Sequence, residues 1–164
     1  MSGKWWAHEH WGLETPPDVV TFAKKMQAAG FYYRKSLNNN WRPTIFNTFV
    51  GNPARLVILD SVLNVNEAED LTAKAADVGE YVKSEILALS EKYEDIANVR
   101  GRGTLVAWDH PTMAARDKVV GDAMKEGLLL GGCGNQSIRL RPSLTFDKSH
   151  ADEFLHLFEK TLKQ

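Results

Sequence analysis

The chain is predicted to be an α/β protein whose second half forms a lobe with a mainly antiparallel sheet, and three observations carry that prediction. A one-sided helical pattern runs from Asn66 to about Tyr93, where Leu71, Ala75, Val78, Val82, Ile86, Leu89 and Tyr93 step by three or four. Short glycine-punctuated apolar runs follow at about 103–108, 128–131, 137–140 and 143–146, with a helix of about 112–126 between the first two. A final helix is signalled by Ser149 as N-cap, by Asp152 and Glu153 in its first turn, and by Phe154, Leu155, Phe158 and Leu162 along one face.

The first half is less regular. It begins with Lys4-Trp5-Trp6-Ala7-His8-Glu9-His10-Trp11, bulk that is unusual near a free terminus and reads as the interior of a longer protein. Pro16-Pro17-Asp18 breaks the chain before Val19-Val20-Thr21-Phe22-Ala23, which reads as a buried strand ending at Lys24-Lys25. Residues 34–45 are polar and turn-rich, as an exposed loop would be. Gly51-Asn52-Pro53 then opens a helix carrying Leu56, Leu59, Val62 and Leu63, continuing through Val65.

Composition removes several function classes. The 164 residues hold 43% hydrophobic side chains, enough for a real core, and 20 basic against 21 acidic residues leave a net charge of −1. No basic segment suits a nucleic-acid or membrane-surface partner; Arg100-Gly101-Arg102-Gly103 has two charges and opens a strand. No apolar run approaches the length of a membrane span. Cys133 is the single cysteine, which excludes an internal disulfide and a thiolate cage and fits a reducing compartment, cytosol or mitochondrial matrix.

Five places carry candidate chemistry. An amine at the end of a buried strand, at Lys24-Lys25, is where desolvation would free a nucleophile for a Schiff base with an aldehyde cofactor; two surface lysines closing a strand is the plainer reading. His8 and His10 alternate, which on an extended segment puts both imidazoles on one side, but no third or fourth metal ligand adjoins them. Cys133, within Gly131-Gly132-Cys133-Gly134, reads as a small residue in a tight turn, with nothing basic nearby to activate it. Arg139 and Arg141 alternate on a strand and so share a face, as scaffold ion pairs or as anchors for a carboxylate ligand. Thr48 offers a hydroxyl and neighbouring amides ahead of a helix, a spot that suits a turn or a phosphate.

Several blocks, in order, resemble one family: Trp6 through Leu13, Lys24-Lys25-Met26, Ile45-Phe46-Asn47-Thr48, Val99 through Thr104, and Gly131-Gly132-Cys133-Gly134 with Ser137-Ile138-Arg139. They are similar to the animal-type 4-aminobutyrate aminotransferases, within the class III pyridoxal-phosphate-dependent enzymes. The resemblance covers essentially the whole chain, least well at 34–41 and on the surface of the long helix.

The resemblance implies the C-terminal part of a fold-type I transferase. Residues 1–65 would end the large cofactor-binding domain, 66–98 would form a long connecting helix, and 99–164 would form the small α/β domain. It implies pyridoxal 5′-phosphate as cofactor and Lys25, not Lys24, as the lysine that binds it and shuttles the substrate proton. Thr48 matches a residue on the cofactor phosphate of the neighbouring subunit in a homodimer, and Phe46 lines the same site. Arg139 matches the arginine that meets the substrate α-carboxylate or an active-site glutamate; Arg141 has no such role and is read as structural.

The implied reaction moves the amino group of 4-aminobutyrate to 2-oxoglutarate, giving succinate semialdehyde and glutamate in the mitochondrial matrix. Amino-acid and keto-acid substrates are expected, with no metal, nucleic acid or membrane. In the family the phosphate loop, the ring-stacking aromatic, the aspartate on the pyridine nitrogen and the arginine for the 4-aminobutyrate carboxylate all lie upstream of these blocks. Two alternatives stay open: a relative acting on another ω-amino acid such as β-alanine, and an inactive truncated product that associates with a full-length subunit.

Overall fold

In the computed structural model, which describes residues 1–37, 48 and 50–164, the chain forms two units: residues 6–70, and residues 1–5 together with 71–164. The α/β content and the antiparallel sheet follow the expectation from sequence. Among the described residues no helix is long and apolar enough to cross a membrane.

In the unit 6–70, β1 (Val19–Phe22) pairs antiparallel with β2 (Gly30–Tyr33), with Val19 opposite Tyr33 and Phe22 opposite Gly30. The expected buried strand is corrected here. Side chains along β1 alternate between exposed and half-buried, because a two-stranded ribbon covers neither face completely. His8 and His10 lie on a short 3-10 turn, Ala7–Trp11, rather than on an extended segment, so alternation does not align them. Trp6 meets Tyr32 edge-on at 5.9 Å, and Tyr32 meets Phe22 at 5.6 Å, giving the ribbon an aromatic seam. The part of the expected 34–45 loop that is described includes a 3-10 turn, Lys35–Leu37.

Helix α1 (Pro53–Ala68) begins where the Asn-Pro pair predicts, with the Asn52 side chain accepting from the amides of Ala54 and Arg55. It runs three residues past Val65. The single helix expected from Asn66 to Tyr93 is corrected to the end of α1 and a separate α2 (Leu71–Lys92). Between them Glu69 caps α1 and Asp70 turns left-handed at φ 48°, which stops helical propagation.

The other unit is built on a sheet of order β3-β4-β6-β5, all pairs antiparallel: β3 (Ala97–Arg102), β4 (Leu105–Asp109), β5 (Gly131–Cys133) and β6 (Ser137–Arg139). Helices α2, α3 (Met113–Lys125) and α4 (Lys148–Leu162) supply the covering layer. Alternation sends Val106, Trp108 and Ile138 into one core with Val82, Ile86, Phe154 and Phe158. Trp108 meets Phe158 edge-on at 5.1 Å, and Phe158 stacks on Phe154 at 5.5 Å. Each such fully buried side chain contributes about 1.5–3 kcal/mol of burial energy.

Close approach requires glycine at two places. A Cβ on Gly79 of α2 would lie 1.9 Å from the Gly103 carbonyl carbon, so the helix and the β3–β4 turn touch backbone to backbone. The same turn receives the Met1 carbonyl, which accepts from the Thr104 amide at 2.9 Å. A Cβ on Gly132 would meet the Arg116 guanidinium at 2.3 Å. That guanidinium donates to the Ser137 carbonyl at 3.3 Å and so fastens α3 to the β5–β6 hairpin.

Three further expectations are corrected. Residues 143–146 are no strand: Phe146 N–H donates to the Ser143 carbonyl at 3.4 Å, closing a turn. Asp147, not Ser149, caps α4, accepting from the His150 amide at 3.1 Å while Ser149 Oγ donates to the same carboxylate. The run at 128–131 pairs only from Gly131, so Cys133 lies in strand β5 and the turn follows it at Gly134, φ 56°.

Candidate active site

The first candidate lies where β1 turns back to β2. Ala23 is fully extended, Lys24 takes a left-handed conformation at φ 63°, Lys24–Met26 form one 3-10 turn, and Gln27 is left-handed again at φ 57°. Two non-glycine residues in that region bracket Lys25 and Met26. Each costs on the order of 1–3 kcal/mol and persists only where surrounding contacts impose it. Those contacts are visible. Gln27 N–H donates to the Lys24 carbonyl at 2.9 Å, Arg55 Nη1 donates to the Gln27 carbonyl at 3.3 Å, and the Phe22 ring lies so close over Gly30 that a Cβ there would meet it at 2.7 Å.

A groove of about 860 Å³ opens beside this turn, lined among others by Phe22, Lys24, Gln27, Gly30, Asn52 and Arg55. Lys24 is exposed on the groove; Lys25 is half-buried and is not part of its wall. Among the described residues the lining holds two cations and no carboxylate. It therefore suits an anionic group such as a phosphate, and offers no acid to a protonated ring nitrogen. Thr48 is exposed in a turn two residues before Val50, which lines the groove. Phe46, predicted to line the site, lies outside the described residues. Arg55 and Asn52 were not singled out from sequence as site residues, although Asn52-Pro53 marks the helix start that places them.

The second candidate belongs to the other unit. Register sets Arg100, Ala107, Arg139 and Gly131 in one row across the four strands, on the face opposite Trp108 and Ile138. Arg139 is thus flanked by a methyl group on one side and a hydrogen on the other, which leaves room around its guanidinium. Arg100, in the same row, is already engaged. Its Nη2 lies 2.9 Å from Asp109 Oδ1 and donates to Ser137 Oγ at 3.0 Å, and its Nη1 donates to the Asn98 carbonyl at 2.7 Å.

The Asp109 carboxylate also accepts from Ser137 Oγ and from Asn98 Nδ2. The Ser137 hydroxyl, with help from Asn98 and Arg100 and against the cost of burial, holds the Asp109 carboxyl below its ordinary pKa. This knot ties β3, β4 and β6 together beside Arg139. The Arg139 side chain makes no hydrogen bond or ion pair among the described residues, and neither does that of Arg141. Both line one groove of about 380 Å³. The expectation that the two arginines share a face is met, and neither is spent on a scaffold carboxylate.

The remaining candidates do less. Cys133 is half-buried with a free thiol. Among the described residues no group of three or more His, Cys, Asp or Glu side chains is placed to hold a metal ion.

Comparison with known proteins gives these two places a context. The model of the aminotransferase class-III family matches residues 1–162. The mitochondrial 4-aminobutyrate aminotransferase of Sus scrofa is 43% identical over 162 residues, which are 98% of this chain and 32% of that protein. The enzyme of the same name in Dictyostelium discoideum is 43% identical over 99% of this chain and 33% of its own length. The chain therefore spans about a third of the length of these relatives. Among solved structures, lysine aminotransferase from M. tuberculosis superposes with a TM-score of 0.90 at 26% identity, covering 99% of this chain and 38% of that one. Acetylornithine aminotransferase from Elizabethkingia anophelis gives 0.85 at 26% identity, over 99% and 44%.

Proposed function

This chain belongs to the class-III aminotransferase family, and on that premise we propose that it forms the C-terminal part of a pyridoxal-phosphate-dependent 4-aminobutyrate aminotransferase. The observation that carries the reading is the placement of Lys25 on a conformationally forced turn, within a chain that matches 4-aminobutyrate aminotransferases almost end to end. Residues 1–65 would complete the large domain, 66–98 the connection, and 99–164 the small domain.

In the proposed enzyme, Lys25 Nζ would hold the cofactor and would also carry the proton at the amine-bearing carbon of the substrate. The cofactor, when bound, supplies the electron sink that makes this proton removable. The left-handed residues on either side fix the direction of the Lys25 backbone, so that the amine is presented without a search at the moment of reaction. Thr48 and Phe46 would come from a neighbouring subunit of a homodimer, the hydroxyl on the cofactor phosphate. Arg139 takes the α-carboxylate of the amino-acid or keto-acid substrate, with the Asp109 knot keeping its strand in register. Among the described residues the groove beside Lys24 offers no acid for the ring nitrogen.

The overall reaction is the transfer of the amino group of 4-aminobutyrate to 2-oxoglutarate. The names of the pig and human relatives place those enzymes in mitochondria, and we propose the matrix for this one. The test is a titration of the purified chain with pyridoxal phosphate, read by tryptophan quenching, for the parent chain and for Lys25→Ala and Lys24→Ala. Saturable binding that Lys25→Ala abolishes and Lys24→Ala retains supports the reading. Equal binding by Lys25→Ala and the parent chain contradicts it.

A further inference from the structure

The turn that carries Lys25 is closed by its own backbone and tied to a distant element by Arg55. Within the turn, Met26 N–H donates to the Ala23 carbonyl at 3.4 Å and Gln27 N–H to the Lys24 carbonyl at 2.9 Å. Bonds this local leave a short turn able to swing as a unit about its ends. From 28 residues further along the chain, Arg55 Nη1 donates to the Gln27 carbonyl at 3.3 Å. Gln27 is left-handed at φ 57°, a conformation that residues with a Cβ disfavour. Its carbonyl lies in the peptide plane that would rotate if Gln27 relaxed, so a donor held on that oxygen opposes the relaxation.

Arg55 is a costly residue for its own helix. It is the third residue of α1, in the first turn, where the helix dipole opposes a cation and no acid is present to offset it. The Asn52 side chain already accepts from the amides of Ala54 and Arg55, so capping asks nothing of this guanidinium. Lys24 is a second cation on the same groove, so local charge does not favour Arg55 either. What the side chain gains is the Gln27 carbonyl.

We infer that Arg55 is a positioning residue for Lys25: from α1 it fixes Gln27, and so sets the direction in which the turn presents the lysine amine. The inference rests on the reading of Lys25 as the cofactor-bearing amine and adds the group that separates it from its neighbour. Lys24 is exposed on the groove and Lys25 is half-buried. In a turn free to swing, either amine could meet an aldehyde, and the exposed one has the easier approach. A turn pinned at Gln27 gives each amine one direction, and only one of them is productive. Arginine suits the task, because its fork can commit Nη1 to a carbonyl and keep its other donors in water.

The purified chain, Arg55→Met and Arg55→Lys are incubated with pyridoxal phosphate over a range of pH and reduced with borohydride. Fragmentation of the modified peptide then gives the ratio of label on Lys25 to label on Lys24. Arg55→Met keeps the aliphatic stem and loses the donors, and far-ultraviolet circular dichroism checks that each variant is folded. Both partners are exposed, so the effect is that of one solvent-screened hydrogen bond from a charged donor. Arg55→Met is expected to lower the ratio about threefold, Arg55→Lys to restore most of it, and the pH midpoint of Lys25 labelling to stay where it was. An unchanged ratio in Arg55→Met overturns the positioning role and leaves the Lys25 reading standing. So does a fall that Arg55→Lys fails to restore, which would make the side chain a packing element, or a moved pH midpoint at an unchanged ratio, which would make it a distant charge. A parent chain with no preference for Lys25 overturns both readings together.

Discussion

The two units differ in what holds them together. Every buried hydrophobic residue among those described lies at position 71 or later, and among the described residues of the unit 6–70 the one that is buried is Asn66. There, Trp11 is 66% exposed, Val57 67% and Leu56 57%, while Trp108, Phe158, Ile86 and Ile138 of the other unit are closed to solvent. The first unit is shaped by backbone turns, a helix cap and an aromatic seam; the second is shaped by a packed core. The proposed lysine sits in the first and the proposed carboxylate arginine in the second. Chemistry that needs a forced backbone and chemistry that needs a rigid sheet are thus placed in different kinds of structure.

The largest effect that would break this contrast is in the core. Phe158→Ala is expected to cost about 3–5 kcal/mol, read as a fall in the urea midpoint of the far-ultraviolet signal. A loss near that of a surface substitution would mean that the core is not what stabilises 71–164. Gly132→Ala should come next, at about 1–3 kcal/mol, because the Arg116 guanidinium must leave its seat under the β5–β6 hairpin. Asn52→Ala removes the cap of α1 and should cost about 1 kcal/mol, an effect confined to the unit 6–70. Leu56→Ser and Val57→Ser should fall within about 0.5 kcal/mol, since both side chains are mostly in water already.

Acid sharpens the comparison in another way. Hydrogen bonds from Ser149 and the His150 amide lower the Asp147 carboxyl to about 2, and Lys118 with Lys125 lower Asp122 to about 2, both from an ordinary value of 3.8. A carboxyl depressed in the folded state contributes stability above its unfolded pKa and loses it as pH falls through the folded value. The unit 71–164 should therefore weaken between about pH 4 and pH 2, and Asp147→Asn should flatten that part of a stability–pH curve. An unchanged slope in that variant would remove Asp147 from the account.

Much of the packed unit is legible in the sequence because its periods are strong. Leu71, Ala75, Val82, Ile86 and Leu89 step along α2 as the core requires, and Phe154 with Phe158 declare α4. What escapes the sequence is decided locally. The break at Glu69-Asp70 depends on one left-handed residue, and acidic side chains give no notice of it. Asp147 and Ser149 are both good caps, and only the geometry at His150 chooses between them. Leu144 and Phe146 alternate as a strand would, yet the hydroxyls of Ser143 and Thr145 lie 3.0 Å apart across a turn. At the site, residue type and order point to the pairs Lys24-Lys25 and Arg139/Arg141, and the choice of Lys25 and Arg139 within them is what the family resemblance implies. The engagement of Arg100 by Asp109, which leaves Arg139 as the open guanidinium of its row, depends on pairing register across three strands.

In the proposed enzyme the turn between β1 and β2 presents Lys25 as the cofactor-bearing amine, although Lys24 is the lysine that borders the groove. Incubation of the chain with pyridoxal phosphate, reduction with borohydride and mapping of the modified peptide tests it directly. A phosphopyridoxyl group on Lys25 at near-stoichiometric yield, with little on Lys24, is the expected result. Modification of Lys24 in preference to Lys25, or labelling spread evenly over exposed lysines, would contradict it.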